Sequence, residues 1–102
     1  MTITEFKASL ANDAPPSGLH PLLEALWHDG KGNWEMAHNV AQEIHTDSGS
    51  WVHAYLHRKE GDKSNASYWY HMAGRSFPSV GLDEEWENMV GSFVGRMKVQ
   101  SA

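Results

Sequence analysis

The sequence predicts an all-α fold, a single domain spanning 1–102 with five to six helices, and three observations carry that prediction. Apolar residues recur at helical spacing along most of the chain, and no segment alternates with the two-residue period of a strand. Between the periodic runs lie clusters of Gly, Pro, Ser, Asn and Asp, the residues that stop helices and start new ones. Of the 102 residues, 40% are hydrophobic, including five Trp, three Phe and three Tyr, which suffices for one core.

Thr2-x-x-Glu5 is a capping-box pattern, and Ile3, Phe6 and Leu10 follow at helical spacing, so a first helix is expected to end near Asn12. Ala14-Pro15-Pro16-Ser17-Gly18 interrupts it, because two prolines and a glycine do not continue a helix. A first helical hairpin is expected over 19–45. Leu19, Leu22, Leu23, Leu26 and Trp27 form its first arm, with Pro21 tolerated in the opening turn. Gly30-Lys31-Gly32 ends that arm, Asn33 caps the next, and Met36, Ala37, Val40, Ala41 and Ile44 share a face on it.

Thr46 to Ser50 is a polar connector in which Ser48 or Ser50 is the expected cap. A second hairpin is expected over 50–74. Trp51, Val52, Tyr55 and Leu56 lie on its first arm, which stops at Gly61. Asp62 caps the second arm, which carries Ala66, Trp69, Tyr70 and Ala73 and ends at Gly74. After a loop containing Pro78, a C-terminal helix is expected over 82–100. Its stripe is Trp86, Met89, Val90, Phe93, Val94 and Met97, with Asp83-Glu84-Glu85 at its positive end. Gly91 and Gly95 lie beside the stripe, where another backbone can come close.

Sliding the chain against itself by 29 residues sets Ala25 on Ala54, His28 on His57, Gly32 on Gly61, Asn33 on Asp62 and Ala37 on Ala66. Small residues let paired helices approach, glycine permits the turn, and Asn or Asp caps the following helix. In the second hairpin Gly61-Asp62, Ala66, Tyr70 and Ala73 reproduce a spaced signature. On these residues it resembles the tetratricopeptide and Sel1-like repeat families. The first hairpin shares Gly32-Asn33 and Ala37 but carries Ala41 and Ile44 where that signature has an aromatic and an alanine. The string Leu56 to Asp62, with Asn65-Ala66 and Tyr68-Trp69-Tyr70, is also similar to a set of small uncharacterised microbial proteins. The repeat resemblance implies two stacked antiparallel hairpins flanked by terminal helices that cover the ends of the stack. It further implies a module that binds a protein or peptide and has no catalytic activity.

Composition narrows the function classes. Eight basic and thirteen acidic residues leave a net charge of −5, which argues against nucleic acid and anionic membrane surfaces as partners. The absence of cysteine removes disulfides, thiolate metal sites and thiol catalysis. No apolar run approaches the roughly 20 residues of a membrane span, and the first residues lack the pattern of a secretion signal, so a soluble, cytoplasmic protein is expected. No phosphate loop, dinucleotide fingerprint or Gly-x-Ser-x-Gly is present.

Three constellations remain. His53 and His57 stand four apart on one expected helix, the spacing at which two imidazoles share a face and can hold one ion; Glu60, Asp62 or His71 are the candidate further ligands. Such a pair also arises by chance in a chain with seven histidines, so no cofactor is expected on this ground alone. Arg58 offers a planar fork for an anion, against the plainer expectation that it pairs with Glu60 or Asp62 across the turn. Trp51, Tyr55, Trp69 and Tyr70 line either a ligand groove or, more simply, the core, and Trp34, early in its helix, is the tryptophan expected to be exposed. The ligand-binding candidates are therefore His53, His57, Arg58, Glu60 and Trp69, with His53 and His57 the metal candidates. The sequence predicts an interaction module, monomeric or homodimeric. A small His- or metal-dependent enzyme centred on His53, His57, Arg58 and Glu60 is the alternative.

Overall fold

The computed structural model describes residues 1–97, and the fold is all-α, as the periodicity predicts. Six helices follow in order: α1 (Ile3–Ser9), α2 (Pro21–Gly30), α3 (Trp34–Ala41), α4 (Asp47–Lys59), α5 (Lys63–Met72) and α6 (Leu82–Arg96). No strand occurs among the described residues, and no helix there is long and apolar enough to cross a membrane.

Helices α2 and α3 pack on each other, as do α4 and α5, and α3 lies against α4. The two hairpin turns are built alike. Gly32 and Gly61 take φ of 84° and 91°, in the left-handed region open to glycine. The amides of Asn33 and Asp62 donate to the carbonyls of His28 (2.8 Å) and His57 (3.0 Å). Their side chains then cap α3 and α5 by accepting from the amides of Met36 and Asn65. Ala25, Ala54, Ala37 and Ala66 are all fully buried, which gives the 29-residue offset a physical cause: small residues where helices meet.

Helix α4 is the centre of the molecule, buried without a break from Trp51 to His57. The stripe of α6 covers it, burying Trp86, Met89, Val90 and Phe93 within the one chain, with Val94 and Met97 packed at its edge. A Cβ at Gly91 would stand 3.0 Å from Ile3 Cδ1, so this glycine admits α1; among the described residues nothing lies within 4 Å of a Cβ at Gly95. Helix α6 ends at Arg96 with Met97 as its C-cap, short of the expected residue 100, and residues 98–102 lie outside the described residues.

Several boundaries differ from the sequence-based expectation. Helix α1 ends at Ser9, and Leu10 to Asn12 continue only as tight turns, their amides bonded three residues back. The cap of α4 is Thr46, whose Oγ1 accepts from the Gly49 amide at 3.0 Å, in place of Ser48 or Ser50. Gly49 permits this early start: a Cβ there would lie 2.0 Å from the Ile44 carbonyl oxygen. On α3 only Ala37 and Ala41 are buried; Met36 is exposed, and Ile44 lies beyond the end of the helix. Trp34 is half-buried, because its indole N–H donates to the Leu56 carbonyl at 2.8 Å and seats the ring between α3 and α4.

Candidate metal centre

His53 and His57 sit one turn apart on α4, and the packing of α3 on α4 brings His38 to the same point. His53 Nε2 lies 3.0 Å from His57 Nε2 and 3.0 Å from His38 Nε2. One donor atom from each ring falls within 4.8 Å of the others. On its other side, His57 Nδ1 lies 2.6 Å from Glu60 Oε2. Trp34 stacks on His38 (centroids 4.9 Å apart, planes at 10°), and Trp69 lies over His53 at 4.3 Å.

Proton counting exposes the chemistry. A ring nitrogen has one in-plane position, holding either a proton or a lone pair. For His57 to donate to Glu60 its proton sits on Nδ1, and in the neutral ring Nε2 is then a lone pair. His53 Nε2 faces two nitrogens at equal distance and can make one linear hydrogen bond between them. By distance each Nε2 has a neighbour; by protons one of the two contacts lacks a good bond in any set of neutral tautomers. A metal ion removes the conflict, since it takes a lone pair from each ring. Nitrogens bound at the usual zinc distance around a tetrahedral ion stand roughly 3.3 Å apart, close to the two 3.0 Å separations at His53, while the His38 and His57 donors lie within 4.8 Å of each other.

The electrostatics keep lone pairs available. Burial, then the neighbouring His57 and His38, push His53 down to about 4. Burial and His57 also lower His38, with Glu60 acting in the opposite sense. Neutral imidazole is the form that binds metal. Glu60 on His57 Nδ1 is the carboxylate–histidine arrangement that fixes a metal-binding ring's tautomer and orientation.

Of the five residues singled out from sequence, His53, His57, Glu60 and Trp69 meet here. Arg58 does not. Its guanidinium turns to Glu85 Oε1 (2.7 Å) and the Val80 carbonyl (2.5 Å), so the expected pairing across the turn with Glu60 or Asp62 is replaced by a tie to α6. Asp62 is engaged in capping α5, and His71 is exposed. Trp51, Tyr55 and Tyr70 are core residues. His28, the repeat counterpart of His57, packs edge-on against Trp27, and Glu24 and Ser67 stand where His53 and His38 would have counterparts. The centre is thus a departure from the repeat. Sequence reasoning missed His38; the available signal was its place next to Ala37, on the second arm of the first hairpin.

Two other polar clusters are closed. Asp29, 3% exposed, accepts from Tyr55 (2.7 Å) and Lys59 (2.9 Å). Glu85, 2% exposed, accepts from Trp51, Tyr70 and Arg58. Burial is the main cause that raises the Tyr55 and Tyr70 hydroxyls, with the neighbouring carboxylates adding to it, so both stay protonated donors. A cavity of about 340 Å³ touches the Asp29 cluster, but that carboxylate is fully engaged. A cavity of about 290 Å³ instead shares His53 and Trp69 with the imidazole cluster.

No family model matches the chain, and no curated protein or solved structure is significantly similar to it.

Proposed function

We propose that this domain binds one divalent transition-metal ion of the zinc class through Nε2 of His38, His53 and His57, with Glu60 orienting His57. The observation that carries the reading is the double 3.0 Å approach at His53 Nε2, which hydrogen bonding leaves half-satisfied and a shared cation satisfies. All-nitrogen imidazole donors suit zinc, copper, nickel and iron and disfavour calcium and magnesium, which take oxygen. Untagged protein titrated with zinc at pH 7.5 tests it by calorimetry and metal analysis. One ion per chain is expected from the wild type and none from His38→Ala; a wild type that takes up no metal overturns the reading.

A protein- or peptide-binding module of the tetratricopeptide kind is the second reading. It is supported by the equivalent hairpin turns and by Tyr68 and Met72, 55% and 48% exposed one turn apart on α5. A fluorescence-anisotropy screen of a peptide library against wild type and Tyr68→Ala tests it; binding that ignores the substitution counts against this face.

A further inference from the structure

The ligand set of this centre is incomplete, and a cavity adjoins one of its three rings, His53. Three imidazoles converge, and among the described residues no further His, Asp or Glu donor joins all three. Glu60 and Asp62 group with His57 alone, and Glu60 is engaged at Nδ1, the nitrogen that faces away from the cluster. Structural zinc sites close with four protein ligands; sites with three keep a position for water or an exchangeable ligand.

What lies beside the cluster is a cavity of about 290 Å³. His53 and Trp69 belong to both, so the ring that supplies a central donor atom is also a wall of the cavity. Ala41, Ile44 and Met72 give the remaining wall its apolar surface, and Gln42, His45, Thr46, Asp47 and Ser50 make up its polar rim. Its volume is near the lower end for ligand pockets, about 300 Å³, which suits a body no larger than one aromatic ring. The chain carries a net charge of −5, so an anion's attraction to this spot has to come from the bound cation.

Resting on the metal reading above, we propose that the ion's fourth position is exchangeable and takes a small carboxylate whose apolar body lies in the cavity between Ile44, Trp69 and Met72. The carboxylate oxygen replaces water on the ion; no bond within the ligand is made or broken. The ligand class is therefore a monocarboxylic acid with a compact apolar group. The metal supplies affinity for the head, and the cavity supplies preference for the body.

The test uses the full chain loaded with cobalt(II), whose visible absorption responds to a change of ligand, titrated separately with acetate and phenylacetate. Both anions are expected to alter the spectrum, with phenylacetate the tighter by at least about fivefold from apolar contact. Met72→Ala, at an exposed position on the cavity wall, is expected to reduce that preference. A cobalt-loaded spectrum unmoved by either anion shows the fourth position closed and overturns the inference with the metal reading intact. Equal affinity for the two anions, or a preference that Met72→Ala leaves intact, overturns the role of the cavity. Failure to bind cobalt removes the metal reading and this inference together.

Discussion

Glu60 holds the His57 ring from its Nδ1 side at 2.6 Å and so leaves Nε2 of the same ring 3.0 Å from His53. The relationship depends on the end of α4. Glu60 is the C-cap residue, three after His57, and Gly61 turns the chain immediately afterwards, so the carboxylate stays beside the last turn.

Removing that carboxylate without changing its shape therefore weakens metal binding and leaves the ligand set whole. Glu60→Gln is expected to lower zinc affinity roughly 10- to 100-fold, the usual range for the outer partner of a metal-bound histidine. His28→Ala, at the repeat-equivalent position outside the centre, is expected to change affinity little. Competition against a chromogenic chelator at pH 7.5 measures both.

Acid is expected to destabilise the metal-free protein in a defined window. His53 is held near 4 when folded and has an ordinary value of 6.5, so between these values the unfolded chain binds a proton that the folded chain does not. Stability from this group is present above about 6.5 and is lost as pH falls toward 4, by up to about 3 kcal/mol. The lowered His38 acts in the same sense. Urea midpoints from pH 7.5 down to 4.5 test it, and His53→Gln is expected to flatten the slope.

Gly49→Ala is expected to cost more than about 2 kcal/mol, since the added methyl meets a main-chain carbonyl oxygen that cannot move independently. Gly95→Ala, with open space around it, is expected to be neutral or stabilising. A pair of denaturation curves decides between them.

Ala66→Leu and Ala37→Leu each place a large side chain at a fully buried helix contact and are expected to cost on the order of 1–3 kcal/mol. Gly61→Val tests the turn between the arms: space is open there, so any loss comes from the backbone at φ 91°. An unchanged midpoint for all three variants would remove the packing account of the 29-residue offset.

What the sequence makes legible is local. Helical periodicity, the Asn33 and Asp62 caps and the Gly32 and Gly61 turns depend on neighbours a few residues away, and all are found as expected. The misses share a different cause. Arg58 reaches Glu85 across 27 residues, and Trp34 is drawn inward by the Leu56 carbonyl across 22. Thr46 caps α4 because Gly49 fits against Ile44, a steric fact invisible to capping patterns. For the centre, the i, i+4 spacing of His53 and His57 is readable, whereas His38 joins them only through the crossing of α3 and α4.

An ion bound as proposed would act as a staple across that crossing. His38 and His53 are 15 residues apart, on either side of the segment that links α3 to α4. A metal bound to both closes a backbone loop of the size for which a disulfide stabilises a protein by about 3 kcal/mol through the unfolded state. In a chain without cysteine, such a link is indifferent to reductant and undone by a chelator. Chelation of such an ion is expected to loosen the seam between the two hairpins, so that proteases cut segment 42–46 more readily in the metal-free chain than in the loaded one.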